Sequence, residues 1–170
     1  QKITIGINMK PVVLLVDDEK STRSALRRVF KKNNFDVLEA GSGQVALDVL
    51  ESNVVDVVVS DQRMPYMNGT KLLSQVKQTY PNVGRIMLSG QSDYDDLCEA
   101  INEASIYRFL HKPWDEEQLV SAVKEVVPSG ILNSDIKTSK GDALGDVTSS
   151  RNNKVMAAII KDAVIRHQAD

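Results

Sequence analysis

The run VVLLV at residues 12–16 constrains this chain more than any other feature. A strand without a polar face must be covered on both sides, as the strands of a parallel sheet are. Downstream, over 20–32, Ala25, Leu26, Val29 and Phe30 recur at helical spacing. The alternation then repeats. Strands are predicted over 35–40, 55–60, 85–89 and 107–110, and helices over 44–51, 71–79, 94–102 and 116–126. Five strands alternating with five helices predict an α/β fold: a five-stranded parallel sheet, with right-handed crossovers that put helices on both faces.

Pro128 ends this alternation. The stretch 128–153 is rich in Ser, Gly, Asp, Asn, Lys and Thr, has little periodicity, and reads as a linker. Beyond it Val155, Met156, Ile159, Ile160, Ala163 and Val164 form an apolar stripe, which predicts a helix over 154–170. One helix is not a domain. It is read as the first element of an output domain, or as a docking or dimerisation helix. Residues 1–8 do not begin with Met, and Met9 directly precedes the first strand pattern, so 1–8 are read as an expression remnant or an N-terminal extension. The domain proper is expected at 9–127.

The chain's 170 residues suit one domain with some extra sequence, and at 42% apolar content it can bury a real core. A net charge of -2 gives no basic footprint, and direct nucleic-acid binding is not expected. Cys98 is the single cysteine, which rules out an intrachain disulfide and a multi-cysteine zinc site. No apolar run approaches the roughly 18–20 residues of a spanning helix, and no signal-peptide pattern opens the chain. The expected location is the cytoplasm, without a membrane partner.

Open parallel sheets gather functional groups at the carboxyl ends of their strands. Here the first strand ends at Asp17, Asp18 and Glu19, the third at Ser60 and Asp61, the fourth at Ser89 and Gly90, and the fifth at His111, Lys112 and Pro113. One edge of the sheet should therefore present carboxylates, a hydroxyl and an ammonium. Carboxylates held that close repel unless a cation sits among them. Hard oxygen ligands with room for water suit Mg²⁺, or Mn²⁺ in its place. Read alone, Asp17 or Asp18 is equally an N-cap for the following helix, and Asp18 can serve both purposes. Lys112 is a point charge able to reach an anionic oxygen. Pro113 forces a turn there, a cis bond included.

VLLVDDE, VVVSDQRMPYMNG, IMLSG and YRFLHKPW together resemble the signature segments of response-regulator receiver domains, over roughly residues 11–127. The resemblance implies a flavodoxin-like, doubly wound (βα)5 fold and a signalling switch in a two-component phosphorelay, rather than an enzyme. It implies that Asp61 takes a phosphoryl group from a sensor histidine kinase or phosphotransfer protein. Asp18 and Asp61 match direct Mg²⁺ ligands, Asp17 one acting through water, and Arg63 the position whose main-chain carbonyl binds the metal. Lys112 matches the lysine that pairs with the phosphoryl group, Ser89 the hydroxyl that swings onto it, and Phe109 the switch aromatic. Met64, Pro65, Asn68 and Gly69 match the loop into the third helix. Arg63 and Gly90 flank the acceptor and are expected to tune its lifetime. The segments 94–102, 107–110 and 116–126 form the implied output surface, acting on an output domain, a partner or a second copy in a homodimer. His111 is expected to be structural or solvent-facing, and Trp114 to report on occupancy of the site.

Two rivals use the same residue types. An aspartyl-phosphate phosphatase of the haloacid dehalogenase type would need a D-x-D pair at the end of its first strand, whereas Asp17 and Asp18 are adjacent. A metal-free interaction module would be indifferent to Asp61. As to output, DQRMP and YRFLHKPW resemble receivers fused to cyclic-di-GMP phosphodiesterases or other enzymes more than DNA-binding ones.

Overall fold

The computed structural model describes residues 10–90, 106 and 108–127, all of them within the first of two units, Gln1–Leu132. The readings of 1–8, of a helix over 94–102, of the linker and of the helix over 154–170 lie outside the described residues, as does Cys98. Among the described residues are five strands, β1 (Val12–Val16), β2 (Asp36–Ala40), β3 (Val57–Asp61), β4 (Gly84–Ser89) and β5 (Arg108–His111). With them are four helices, α1 (Lys20–Lys32), α2 (Gly43–Ser52), α3 (Gly69–Thr79) and α4 (Glu116–Val126).

All strand pairs are parallel, in the order β2-β1-β3-β4-β5. The predicted α/β sheet is thus borne out. The order reverses at β1, so the carboxyl ends of β1 and β3 flank a topological switch point, where such sheets bind ligands.

Alternation along each strand divides the core between the two faces. Val13 and Leu15 pack with Leu26 and Phe30 of α1 and Leu119 and Val123 of α4. Leu14 and Val16 pack with Ala46 and Leu50 of α2 and Leu72, Leu73 and Val76 of α3. Fully burying such a side chain contributes roughly 2 kcal/mol. The helix starts follow capping chemistry. Ser42 accepts from Val45 N–H, Asn68 from Lys71 N–H and Asp115 from Gln118 N–H.

The differences from the expected boundaries have local causes. Phe35 is buried edge-on against Phe30, ring centroids 5.5 Å apart, before β2 begins. Val55 is likewise buried ahead of β3. In both places an apolar residue fills the core without joining the ladder. The N-cap of α1 is Glu19 rather than Asp18, and the N–H of Glu19 donates to Asp17 Oδ1 at 2.8 Å. The capping role read for Asp18 is therefore corrected.

Candidate functional site

Three strand ends converge above the switch point. Asp17 follows β1 and is 2% exposed, while Asp61 closes β3 and is 9% exposed. Asp18 is exposed beside them. One carboxylate oxygen from each of the three lies within 4.8 Å of the others. Lys112, at the exit of β5, spans the cluster: its Nζ donates to Asp17 Oδ2 and Asp61 Oδ1, each at 2.9 Å. The Lys112–Pro113 peptide is cis.

The electrostatics follow from burial and from this sharing. Burial pushes the Asp61 carboxyl above its ordinary range, and the negative charge of Asp17 adds to the push, against the pull of Lys112. For Lys112, burial works to lower the pKa, but the bonds to Asp17 and Asp61 outweigh it and hold the ammonium above its usual value. Glu19, at the mouth, is held below the carboxylate range by the hydroxyls of Ser21 and Thr22. Both oxygens of Asp17 are engaged, Oδ1 by Glu19 N–H and Oδ2 by Lys112.

The donor set fits a divalent cation of the Mg²⁺ or Mn²⁺ kind. It offers hard carboxylate oxygens from two strands, close enough to share one ion, with exposed Asp18 leaving access for water.

The other residues singled out from sequence fall around this cluster. Ser89 ends β4 fully buried, its Oγ donating to Gly90 O at 3.3 Å and its carbonyl accepting from Lys112 N–H at 2.8 Å. Gly90 follows, half-buried. Phe109, on β5, is half-buried against the α2–α3 side of the core and meets the ring of His111 edge-on at 5.4 Å. His111 is exposed, and Trp114 packs against the α1–α4 side of the core. Arg63 stands exposed in the loop leaving β3.

Sequence reasoning missed what holds that loop. Gln62 is 2% exposed, and its Oε1 accepts from both the N–H and the hydroxyl of Thr70, at 2.9 and 3.0 Å. Gly69 N–H donates to Gln62 O at 3.0 Å. A Cβ on Gly69 would collide with the main-chain oxygen of Asp61 and lie 3.0 Å from Gln62 Cα. Only glycine lets the start of α3 pass this close to the backbone that carries Asp61. Asn68 and Gly69 were expected, by resemblance, in the loop into the third helix. Nothing periodic marks the bond between Gln62 and Thr70.

Comparison with known proteins agrees with this geometry. Residues 13–124 match the family model described as "Response regulator receiver domain". The hydrogenase transcriptional regulatory protein HoxA of Bradyrhizobium diazoefficiens is 36% identical over 151 residues, which cover 89% of this chain and 30% of that protein. Sporulation initiation phosphotransferase F of Bacillus subtilis is 29% identical over 120 residues, covering 71% of this chain and 96% of that protein. A crystal structure of the signal receiver domain of an HD domain-containing protein from Pseudomonas fluorescens Pf-5 superposes with a TM-score of 0.67 at 36% identity. That match covers 69% of this chain and 94% of that one. The chain thus spans less than a third of the length of the HoxA regulator it matches.

Proposed function

Because the chain belongs to the response-regulator receiver domain family, we propose that Asp61 is its phosphoacceptor, charged in a Mg²⁺-dependent reaction by a phosphohistidine of a sensor histidine kinase or phosphotransfer protein. One observation carries this reading: Lys112, from the end of β5, is bonded at 2.9 Å to carboxylates from the ends of both β1 and β3. It supports a site where anionic oxygens are gathered and screened, which is what phosphoryl transfer asks of a protein.

Asp61 attacks phosphorus with an ionised oxygen. The new P–O bond forms as the P–N bond to the donor breaks, and the electron pair leaves with the imidazole nitrogen. The product is an acyl phosphate, open to hydrolysis, so the signal is self-limiting. Lys112 exchanges its bond to Asp61 for one to a phosphoryl oxygen and keeps Asp17. The cation, when bound, neutralises charge on the phosphoryl oxygens. Asp18 and Asp61 are its direct ligands in this reading, joined by the main-chain carbonyl of Arg63. The double engagement of Asp17 supports a role through water. Ser89 turns from Gly90 O toward the phosphoryl group, and Phe109 moves inward from its half-buried position, with the β5–α4 side as the output surface. Arg63 and Gly90 tune the lifetime of the phosphate.

The receiver unit is taken as 9–127, in the cytoplasm where its kinase donor acts. Its output is an output domain or a partner protein. The name of the Bradyrhizobium relative describes a transcriptional regulator, so the expectation that nucleic acid plays no part is not carried to the whole protein. A DNA-directed output stands beside an enzymatic one such as cyclic-di-GMP hydrolysis. The test is to incubate the chain with Mg²⁺ and a small acyl-phosphate donor, then locate the added mass. A single phosphoryl group on Asp61 is expected. Label elsewhere, or none on a folded chain, overturns the reading.

A further inference from the structure

Arg23 lies in the first turns of α1, away from the strand ends, yet its side chain reaches back to the site. Its Nη1 donates to the main-chain oxygen of Asp17 at 2.6 Å. Its Nε lies 3.8 Å from Glu39 Oε1, on the neighbouring β2, and is buried without a hydrogen bond. The other Glu39 oxygen is 3.5 Å from Arg27 Nη1. Gly41, just past β2, lies against the same guanidinium: a Cβ there would come to 3.4 Å from Nη1.

Two features separate this contact from an ordinary surface ion pair. The Arg23 side chain is only 17% exposed, whereas arginine usually keeps its guanidinium in water. It also leaves one buried donor unmet while making the bond to Asp17, and buried donors in folded proteins are seldom left that way. The guanidinium is therefore oriented by that carbonyl. The carbonyl is not arbitrary either, since it belongs to the peptide that joins Asp17 to Asp18. On the other side of Asp17, its N–H donates to Ala40 O at 3.2 Å. With both flanking peptides held, the backbone of Asp17 is fixed, and with it the direction in which both carboxylates leave the chain.

We propose that Arg23 is a positioning residue for the acidic cluster: it pins the Asp17–Asp18 peptide so that both carboxylates face Asp61, and Glu39 holds the guanidinium in place. The proposal rests on the reading of that cluster as a divalent-cation and phosphoryl site. Residues that orient metal ligands typically alter metal affinity roughly 10–100-fold when replaced.

The test uses the full chain and Mn²⁺ as probe, with affinity read by calorimetry, Asp61 labelling by mass, and thermal unfolding in chelator. Arg23→Met is expected to weaken Mn²⁺ binding by roughly 10–100-fold. Arg23→Lys, which keeps the charge and one donor but loses the fork, should show an intermediate loss. Glu39→Gln should show a smaller one. The double variant Arg23→Met/Glu39→Gln should bind no worse than Arg23→Met, since Glu39 acts only through Arg23. A plain helix-to-sheet staple would lower the unfolding temperature and leave Mn²⁺ affinity unchanged, and that result overturns the proposal. If Arg23→Met does not fold, the Arg23→Lys affinity decides alone, and wild-type affinity there overturns it. Wild-type chain that neither binds Mn²⁺ nor labels at Asp61 overturns the underlying site reading, and the proposal with it. A wild type that does both, beside an unaffected Arg23 variant, overturns the proposal alone.

Discussion

Asp56 and Asp61 stand at opposite ends of the same strand, and the contacts of their carboxylates differ. At the amino end, Asp56 Oδ2 accepts the N–H of Val12 at 2.7 Å, while its own N–H and C=O bond to Val12 O and Gly84 N–H at 2.9 Å each. It stitches β3 to both neighbours. At the carboxyl end, Asp61 meets other ionisable side chains, Asp17, Asp18 and Lys112, brought from strands far apart in sequence. A carboxylate tied to a backbone amide already has a fixed partner. One that shares an ammonium with a second carboxylate can exchange that partner for an incoming anion. Asp61 is thus linked to a second carboxylate through a shared ammonium, and Asp56 to the neighbouring strand through a backbone amide.

The sharpest way to break this contrast is to neutralise each aspartate in turn. Asp61→Asn is expected to abolish phosphoryl labelling, while Asp56→Asn retains it, both read as added mass after incubation with Mg²⁺ and an acyl-phosphate donor. Labelling of the Asp61→Asn chain would erase the distinction between the two ends. Next in size is Lys112→Met, which removes the shared ammonium. A preorganised charge of this kind is typically worth on the order of 100-fold in rate, so labelling should slow by about that factor in stopped time courses.

Two further substitutions read the contrast in stability. Gly69→Ala forces a Cβ into the main chain at Asp61 and Gln62, and backbone yields less readily than side chain. A loss of about 2–3 kcal/mol is expected in urea denaturation. Asp56→Ala takes the side-chain acceptor from Val12 N–H in a half-buried place and should cost about 1–2 kcal/mol, with the labelling rate unchanged.

The same contrast explains what could be read from sequence. Strands buried on both faces announce themselves as apolar runs, and VVLLV at 12–16 gave the bounds of β1 as found. Polar residues placed just after such runs sit at the carboxyl edge of the sheet, which is why Asp17, Asp61, Ser89 and Lys112 could be placed at that edge before any geometry was known. The edges of β2 and β3 slipped because Phe35 and Val55 are buried without being in the ladder. The supports of the site were illegible for a different reason. Gln62 reaches Thr70 through two hydrogen bonds, and Arg23 reaches the carbonyl of Asp17 through one, across irregular backbone. Such bonds leave no period in the sequence.

The smallest expected effect is also the least intuitive. In chelator, Asp61→Asn should stabilise the fold slightly, whereas Asp56→Asn should not. Burial holds the Asp61 carboxyl above its unfolded value. A carboxyl raised on folding contributes stability that is fully present below its unfolded pKa, near 4, and is lost as pH rises through the folded value. At neutral pH the ionised Asp61 therefore weighs against the folded state, and asparagine removes that penalty while leaving Lys112 its bond to Asp17. Urea midpoints of the Asp61→Asn and wild-type chains should accordingly draw together as pH is lowered toward 4 and separate toward 7. A destabilised Asp61→Asn chain at pH 7 would mean that the bond to Lys112 outweighs the burial of the charge, and that Asp61, like Asp56, serves the fold as well as the site.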